Sequence, residues 1–514
     1  MMMQQAGIES KGVIQREIDA LIKMVEAGVR SGAAAHTMER TLFEQVLQLG
    51  HVLLGLYFEL QGNGDLGATL PTAEGREVRR LEEPRTRGYL SVFGEHELTR
   101  YVYGSREGQR IEYIPLDDRL QLPEAKFSYL VQDWAESLVV EMSYAQVRQV
   151  LNHMLNLEIG VSSLERMTHD FARDADVYWE QSPAVPSAKG TFIVATADGK
   201  GVPIRKPSSL TPILDHDPGK KPPADRKKMA LLGAVYDCEP TLRTPEQVVE
   251  SLFCEPLRTS EVASTNDPVF AQRPRPQPLA KAIRACLTHT DDKGNEINAR
   301  TTIFDWLSEQ VVQRDPSSEK PVVVVMDGQI SLWNDAEKRL GDRPRVEILD
   351  LLHATSKLWD AIHICYPNDR QWAVMKFFTW RVLEGQIEDV ILWFTHAAET
   401  GPFTQKEGEK LTAICDYFER HQSRMRYDDY LAQGYPIASG VIEGACRHVV
   451  KDRLERTGMR WTIPGARNML NLRCLSINEK WKDYTQLHID REHRRLYSGA
   501  QPVDRDSWPC ALAA

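Results

Sequence analysis

The segment Pro321-Val322-Val323-Val324-Val325-Met326-Asp327-Gly328 constrains the fold more than any other. It is β-branched, shows no apolar–polar alternation and stops at an Asp-Gly pair, so it reads as a strand buried on both faces. Such a strand needs helices above and below it, which makes the chain an α/β protein. Asp327 then falls at the strand's carboxyl end, where open α/β sheets place their ligands. An ordinary helix-cap or turn aspartate fits this local pattern as well.

A second strand, Thr191 to Ala197, runs into Asp198-Gly199-Lys200-Gly201, a turn signal that puts Asp198 at a strand tip. A third, Met229 to Tyr236, follows the basic cluster Lys220, Lys221, Arg226, Lys227 and Lys228. The third acidic position lies in Tyr435-Pro436-Ile437-Ala438-Ser439-Gly440-Val441-Ile442-Glu443. Ser439 is expected to cap a helix whose buried stripe is Ile442, Cys446, Val449 and Val450. Glu443, on the first turn, faces the strand ends if that helix crosses the sheet. Two aspartates and a glutamate form an all-oxygen set suited to two Mg²⁺ ions, with Mn²⁺ as substitute. Such a pair activates a nucleophile and stabilises the leaving oxygen in phosphodiester displacement.

The flanking charge fits that chemistry. From 440 to 473, seven basic residues (Arg447, Lys451, Arg453, Arg456, Arg460, Arg467, Arg473) stand against three acidic ones, a local 7 − 3 = +4 within a chain of net charge −10. Phosphates would meet that charge beside the metals; a solvated helix face is the plain alternative. With 63 Lys and Arg against 73 Asp and Glu, a general polyanion-coating protein is excluded. The longest nearly uncharged apolar run, between Glu44 and Glu59, is shorter than the ~18 residues of a membrane span, so a soluble protein is expected. Met1-Met2-Met3-Gln4-Gln5 has no secretory-signal pattern. The 8 cysteines show neither C-x-x-C nor zinc spacing and read as reduced thiols of a cytosolic protein.

The 514 residues suggest three or four units at roughly 100 to 200 residues each. In residues 1–88, Ile14, Ile18, Leu21, Ile22 and Val25, then Leu42, Val46, Leu49, Leu53, Leu56 and Leu60, mark two amphipathic helices. The second also bears Phe43, Leu47, Leu54, Tyr57 and Phe58, which suits either a buried helix or contact with another subunit. Residues 61–87 read as a linker. Residues 89–122 read as a small β element broken at Gly104-Ser105 and Glu107-Gly108. Residues 123–185 hold three helices, the first opened by Pro123, the others by capping boxes Ser143/Gln146 and Ser162/Glu165. The third presents Ser163, Arg166, His169 and Arg173. This spacing fits a helix-turn-helix DNA-binding unit and a structural three-helix bundle equally.

Taken together, Ala197-Asp198-Gly199, Met326-Asp327-Gly328 and above all Ser439-Gly440-Val441-Ile442-Glu443-Gly444-Ala445-Cys446-Arg447-His448-Val449-Val450-Lys451-Asp452-Arg453, continuing to Gly458-Met459-Arg460-Trp461, resemble the DDE transposases of bacterial insertion sequences, specifically the ISKra group. The resemblance spans about residues 89–481. It implies an RNase H-like catalytic core (188–353 and 435–482) with Asp198, Asp327 and Glu443 as the metal-binding triad, a helical insertion (354–434) and a C-terminal tail (483–514). Trp359, Trp372, Phe377, Phe378, Trp380, Phe394 and their neighbours would give the insertion its own apolar core.

Asp350-Leu351-Leu352-His353 resembles the Asp-x-x-His signature of transposase groups with such an insertion, which implies that His353 positions the scissile phosphate or the leaving strand. The Cys pair of many relatives has no counterpart in Tyr103-Gly104-Ser105-Arg106-Glu107-Gly108. The implied activity is binding of the element's terminal inverted repeats, hydrolytic cleavage at the DNA ends and joining of the 3′-hydroxyls to target DNA, in the bacterial cytoplasm at the nucleoid. Arg166, Arg173, Lys227, Lys228, Arg447, Lys451, Arg453, Arg456 and Arg460 are the expected DNA contacts. Pairing two ends implies a homodimer or larger complex. An RNase H-like nuclease without strand transfer, and a transposase-derived DNA-binding protein with an inert core, are the competing readings.

Overall fold

The computed structural model describes residues 2–71, 76–104, 111–184, 190–205, 227–253, 275–291, 293–341, 343–366, 370–456, 458–497 and 508, with the side chains of 2–11 and 13 left aside. The expected breaks at Ser105 and Glu107-Gly108, the basic residues Lys220, Lys221 and Arg226, and Cys254 and Cys510 lie outside the described residues. The chain divides into two compact units, Met1–Tyr178 with Lys480–Ala514, and Trp179–Glu479.

In the first unit, helices α1 (Met2–Ser31) and α2 (Ala35–Gln61) pack against each other across a short connection containing Gly32, whose φ of 67° suits a glycine. The stretch expected as a linker instead contains short strands, Thr69–Pro71 and Glu77–Arg80, and the start of Arg85–Ser91, which pairs antiparallel with Gly94–Arg100. Their alternating exposed arginines and glutamates masked the strand signal, because only one face of these strands is covered.

Helices α3 (Tyr129–Val139), α4 (Tyr144–Leu155) and α5 (Val161–Phe171) contact one another as a three-helix unit. Ser128, not Pro123, opens α3 by accepting from the Val131 amide, and the Ser143/Gln146 box caps α4 as expected. The Ser162/Glu165 box does not form, because Gly160 is the cap and Ser162 already lies inside the first turn of α5. The stretch expected as a tail carries most of the helix Trp481–Tyr497, which is fastened to the same unit. Trp481 Nε1 donates to Asp133 (2.7 Å), the Tyr484 hydroxyl donates to the Phe171 carbonyl, and His488 Nδ1 lies 2.9 Å from Asp174 Oδ2.

The second unit is a mixed α/β fold built on five strands: β1 (Phe192–Pro203), β2 (Lys227–Cys238), β3 (Leu279–Leu287), β4 (Val322–Met326) and β5 (Arg345–Leu349). Their order is β5-β4-β1-β2-β3; β1, β2 and β3 are antiparallel neighbours, while β4 and β5 run parallel to β1. The apolar run of β4 is buried along its whole length and feeds two cores. Val322, Val324 and Met326 meet Ile303, Trp306, Leu307 and Trp333 from helices α6 (Ala299–Arg314) and α7 (Ile330–Arg339). Val323 and Val325 meet Leu358 of α8 (Leu351–Cys365), with Phe378, Phe394, Leu411 and Phe418. At ~1.5 to 3 kcal/mol for each buried branched side chain, this strand is a main source of the unit's stability.

Residues 354–434 are largely helical, through the rest of α8 and through Gln371–Leu383, Ile387–Thr400 and α9 (Gln405–His421). They do not enclose a core of their own. Their apolar faces share one core with Phe192, Val194, Tyr236 and Ile348 of the sheet, leaving Trp372 and Phe377 exposed. The expected turn at Asp198-Gly199-Lys200-Gly201 is absent too, since β1 stays paired with β2 from Phe192↔Cys238 to Pro203↔Lys227. A turn signature of Asp and Gly yields here to a long two-stranded ladder; Gly201 makes room for Lys227, whose Cδ would lie 2.9 Å from a Cβ at that position.

Candidate active site at the strand ends

Strand register brings the acidic residues into line. Val322 pairs with Ile193 and Val324 with Ala195, an offset of 322 − 193 = 129 that also separates Asp327 from Asp198. Met326 pairs with Leu349, an offset of 349 − 326 = 23 that also separates Asp350 from Asp327. The register, extended past the last paired residues Val324↔Ala195 and Met326↔Leu349, puts Asp198, Asp327 and Asp350 level with one another, Asp198 inside β1 and the other two just beyond the ends of β4 and β5. Side-chain alternation sends Asp198 and Asp327 to the face of Val194, Val323 and Val325, the face covered by α8.

Asp350 is fully buried and tied to four donors. Its Oδ1 accepts from the amides of Leu352 and Ser439 (both 3.1 Å), and its Oδ2 accepts from the Ser439 hydroxyl (2.7 Å) and lies 2.7 Å from His353 Nδ1. These contacts use the carboxylate's roughly four lone-pair sites, which makes Asp350 an anchor rather than a free ligand. It caps α8, orients His353 and fixes the entry to helix α10 (Gly440–Ala445), which carries Glu443. Ser439 occupies the N-cap position of α10 without a side-chain cap; its hydroxyl donates to the buried Asp350 carboxylate.

Ligand atoms of Asp350, His353 and Glu443 lie within 4.8 Å of one another, the one such group among the described residues. Asp198 and Asp327 stand outside it but belong to the same electrostatic neighbourhood. The Asp350 hydrogen bond, followed by the charges of Asp350, Asp327 and Asp198, raises the His353 imidazole to about 8 in spite of burial. Burial raises the carboxyl of Glu443, and Asp350 and Asp198 add to the rise. Burial likewise raises Asp198, against the hydrogen bonds it accepts from the Cys446 thiol (3.3 Å) and the Gly199 amide (2.7 Å), with the Asp327 charge raising it further.

Asp327 Oδ1 accepts from the Gln329 amide (2.9 Å) and its carbonyl accepts from Trp333 Nε1 (2.7 Å). Helix α9 braces the next residue: a Cβ on Gly328 would lie 2.2 Å from the Tyr417 ring, and His421 Nε2 sits 3.1 Å from the Gly328 carbonyl. No hydrogen bond reaches the Glu443 carboxylate among the described residues. The stripe expected beside it is present, with Ile442, Cys446, Val449 and Val450 buried, but from Cys446 to Lys451 the helix is wound as a π-helix, a form concentrated at functional sites. Asp198, Asp327 and Glu443 thus offer hard oxygen donors, a set whose chemistry fits Mg²⁺ or Mn²⁺, and burial together with neighbouring negative charge makes Asp198 and Glu443 weaker acids than usual.

The expected DNA contacts divide. Arg447, Lys451, Arg456 and Arg460 are exposed beyond α10, and Arg166 is exposed on α5. Lys227 is exposed and paired with Glu455 (2.6 Å), and Lys228 is half-buried in β2. One assignment needs correction, and one residue is engaged within its own unit. Arg453 is buried, its guanidinium packed over the Trp461 ring at 4.9 Å from its centre, so it is turned into the protein and away from a DNA backbone. Arg173 lies past the end of α5 and, exposed like Arg166, pairs with Asp170 (2.8 Å) and Glu492 (3.1 Å) of its own unit.

Asp350 as anchor, Cys446 as donor to Asp198, and the Tyr417 brace escaped the sequence reading. Only Asp350 carried a signal, its position three residues before His353 at a strand end. A comparison with protein-family profiles gives no match for the chain, and a comparison with curated proteins gives none either.

Proposed function

We propose that the chain is a DDE-type DNA transposase with an RNase H-like core, which binds the terminal inverted repeats of its insertion sequence, cleaves the DNA ends and joins the 3′-hydroxyls to target DNA. The observation that carries this reading is the register that levels Asp198 with Asp327 across adjacent parallel strands, with Glu443 brought to the same neighbourhood by a helix anchored through Asp350. The sheet order, 3-2-1-4-5 with the second strand antiparallel, supports an RNase H-like core.

Asp198, Asp327 and Glu443 would hold the Mg²⁺ ions, or Mn²⁺ in their place. When bound, the pair supplies activation of the attacking water or 3′-hydroxyl and charge stabilisation at the leaving oxygen. The chain's own residues do the rest. Asp350 holds His353 by Nδ1, which leaves the Nε2 N–H of a ring protonated at neutral pH as a donor toward a phosphate oxygen. Arg447, Lys451, Arg456 and Arg460, exposed beyond α10, would meet the DNA backbone, and Arg166, exposed on α5, would meet the element's ends.

The test is cleavage of a supercoiled plasmid bearing the element's ends, in Mg²⁺. Nicks at the repeat boundaries followed by joined products are expected from the wild type and not from Asp327→Asn. Cleavage without joined products would leave a nuclease lacking strand transfer. Wild-type cleavage by Asp327→Asn would sink the site.

A further inference from the structure

The hairpin of α1 and α2 buries one seam and leaves another open on each helix. In α1 the half-buried positions Ile14, Glu17, Leu21, Met24 and Gly28 recur every three or four residues, the seam expected toward α2. Ile18, Ile22, Val25 and Val29 form a second apolar row at spacings of 4, 3 and 4, and all are exposed. In α2, Phe43, Val46, Gly50, Leu53 and Tyr57 run at 3, 4, 3 and 4, and the four side chains of that row are exposed as well. The gap at Gly50 is filled from the neighbouring β-hairpin: a Cβ there would sit 2.5 Å from the Phe93 ring, and Phe93 itself is exposed.

Rows at this spacing are complementary to a partner of the same period, because knobs spaced by three and four drop into the holes of another helix. A flat lipid surface imposes no such spacing, and a helix lying on it needs one broad apolar face instead of separate seams. The nine side chains, between 37% and 78% exposed, leave on the order of 900 Å² open per chain, enough for the ~800 Å² per partner of a standard interface. Four apolar helix rows from two hairpins make a four-helix bundle, in which each hairpin covers what the other leaves bare. We propose that the occupant is a second copy of this chain, and that α1 and α2 form a homodimer through Ile18, Ile22, Val25 and Val29 together with Phe43, Val46, Leu53 and Tyr57.

This inference is independent of the proposed chemistry, since mass is measured on the full chain without DNA or metal. Sedimentation velocity at about 1 and 50 µM should give twice the chain mass at the higher concentration. Ile22→Lys and, separately, Leu53→Lys should weaken the dimer at least ~100-fold by placing an unpaired charge in the seam. Both positions are exposed, so unchanged far-UV dichroism and melting temperature are expected and show that folding is intact. A wild type that stays monomeric at 50 µM, or two lysine variants that dimerise as the wild type does, would overturn the proposal. So would a monomeric wild type that sediments with anionic vesicles and loses them on Ile22→Lys, which would assign the rows to lipid.

Discussion

The carboxylates around Asp174 in the first unit and those beside Asp327 in the second are held in opposite ways. Asp174, in the first, accepts from Arg491 Nε (2.6 Å) and sits against His488 Nδ1 (2.9 Å), and although burial alone raises its pKa, these donors hold it below the ordinary carboxyl value. Asp117, nearly buried, has Arg87 at 3.0 Å and Arg100 at 2.7 Å. In the second unit, burial and neighbouring negative charge push Asp198 and Glu443 the other way. The first kind brings its cations along the chain and closes its charge on folding. The second gathers several carboxylates around a single histidine and leaves negative charge over, which costs stability unless a cation is added from outside. That asymmetry separates scaffold from site, and it can be broken experimentally.

The largest effect should come from Asp327→Asn: loss of plasmid cleavage by at least ~1,000-fold, since a metal-ligating charge supplies several kcal/mol to the transition state. Stability should hold or rise slightly, because a like charge is removed beside Asp198. Melting curves run beside the nicking assay check both halves, and a melting temperature lowered by more than a few degrees would place Asp327 with the scaffold carboxylates. Asp174→Ala should do the reverse. It strands His488, and urea unfolding should show a loss of ~3 kcal/mol, in the range for removing one partner of a buried pair. Cleavage chemistry at the other unit should persist under conditions where the variant remains folded.

Added Mg²⁺ sharpens the contrast. An ion that binds only the folded state adds ~2.7 kcal/mol at one hundred times its dissociation constant. The wild type and Asp174→Ala should both gain melting temperature in Mg²⁺. Glu443→Gln should gain much less, having nearly the same volume and one ligating charge fewer. Equal gains in all three would mean that the ion binds elsewhere.

How much of this was legible beforehand follows from how local each signal is. The apolar run ending at Asp327 had one structural reading, and the strand formed with both faces buried. Helices with a complete cap, as at Ser143/Gln146, began where their sequence says. Signals that depend on a distant partner misled. Asp198-Gly199-Lys200-Gly201 has turn chemistry, but twelve residues of cross-strand pairing with β2 override it. Ser439 has the right type for a cap, but Asp350, 89 residues away in sequence, takes its hydroxyl. Arg453 carries charge like its neighbours, and only the packing of Trp461 reveals which of the arginines turns inward. The register that levels Asp198 with Asp327 was present as a difference of 129 in residue numbers, a quantity without meaning until the two strands are known to pair in parallel.

The smallest predicted effect compares two histidines, one in each unit. His96 stacks on His51 at 4.2 Å between ring centres, and burial, followed by the charge of His51, lowers it from 6.5 to about 4. The unfolded chain therefore binds more protons between these values, so the stability tied to His96 is present above pH 6.5 and is lost as pH falls toward 4. His353 is shifted upward, to about 8, so its contribution is full below pH 6.5 and is lost as pH rises through 8. Because the His353 side chain is 42% exposed, solvent screening limits that contribution to less than ~1 kcal/mol. Urea midpoints measured from pH 4 to 9 should fall at both ends, with Asp350→Asn flattening only the alkaline limb, since it removes the carboxylate that raises His353. Proton NMR offers the direct check, with the His353 ring titrating near 8 and moving down toward 6.5 in that variant. An alkaline limb unchanged by Asp350→Asn would show that the raised histidine owes its proton to something other than the anchor that also sets Glu443 in place.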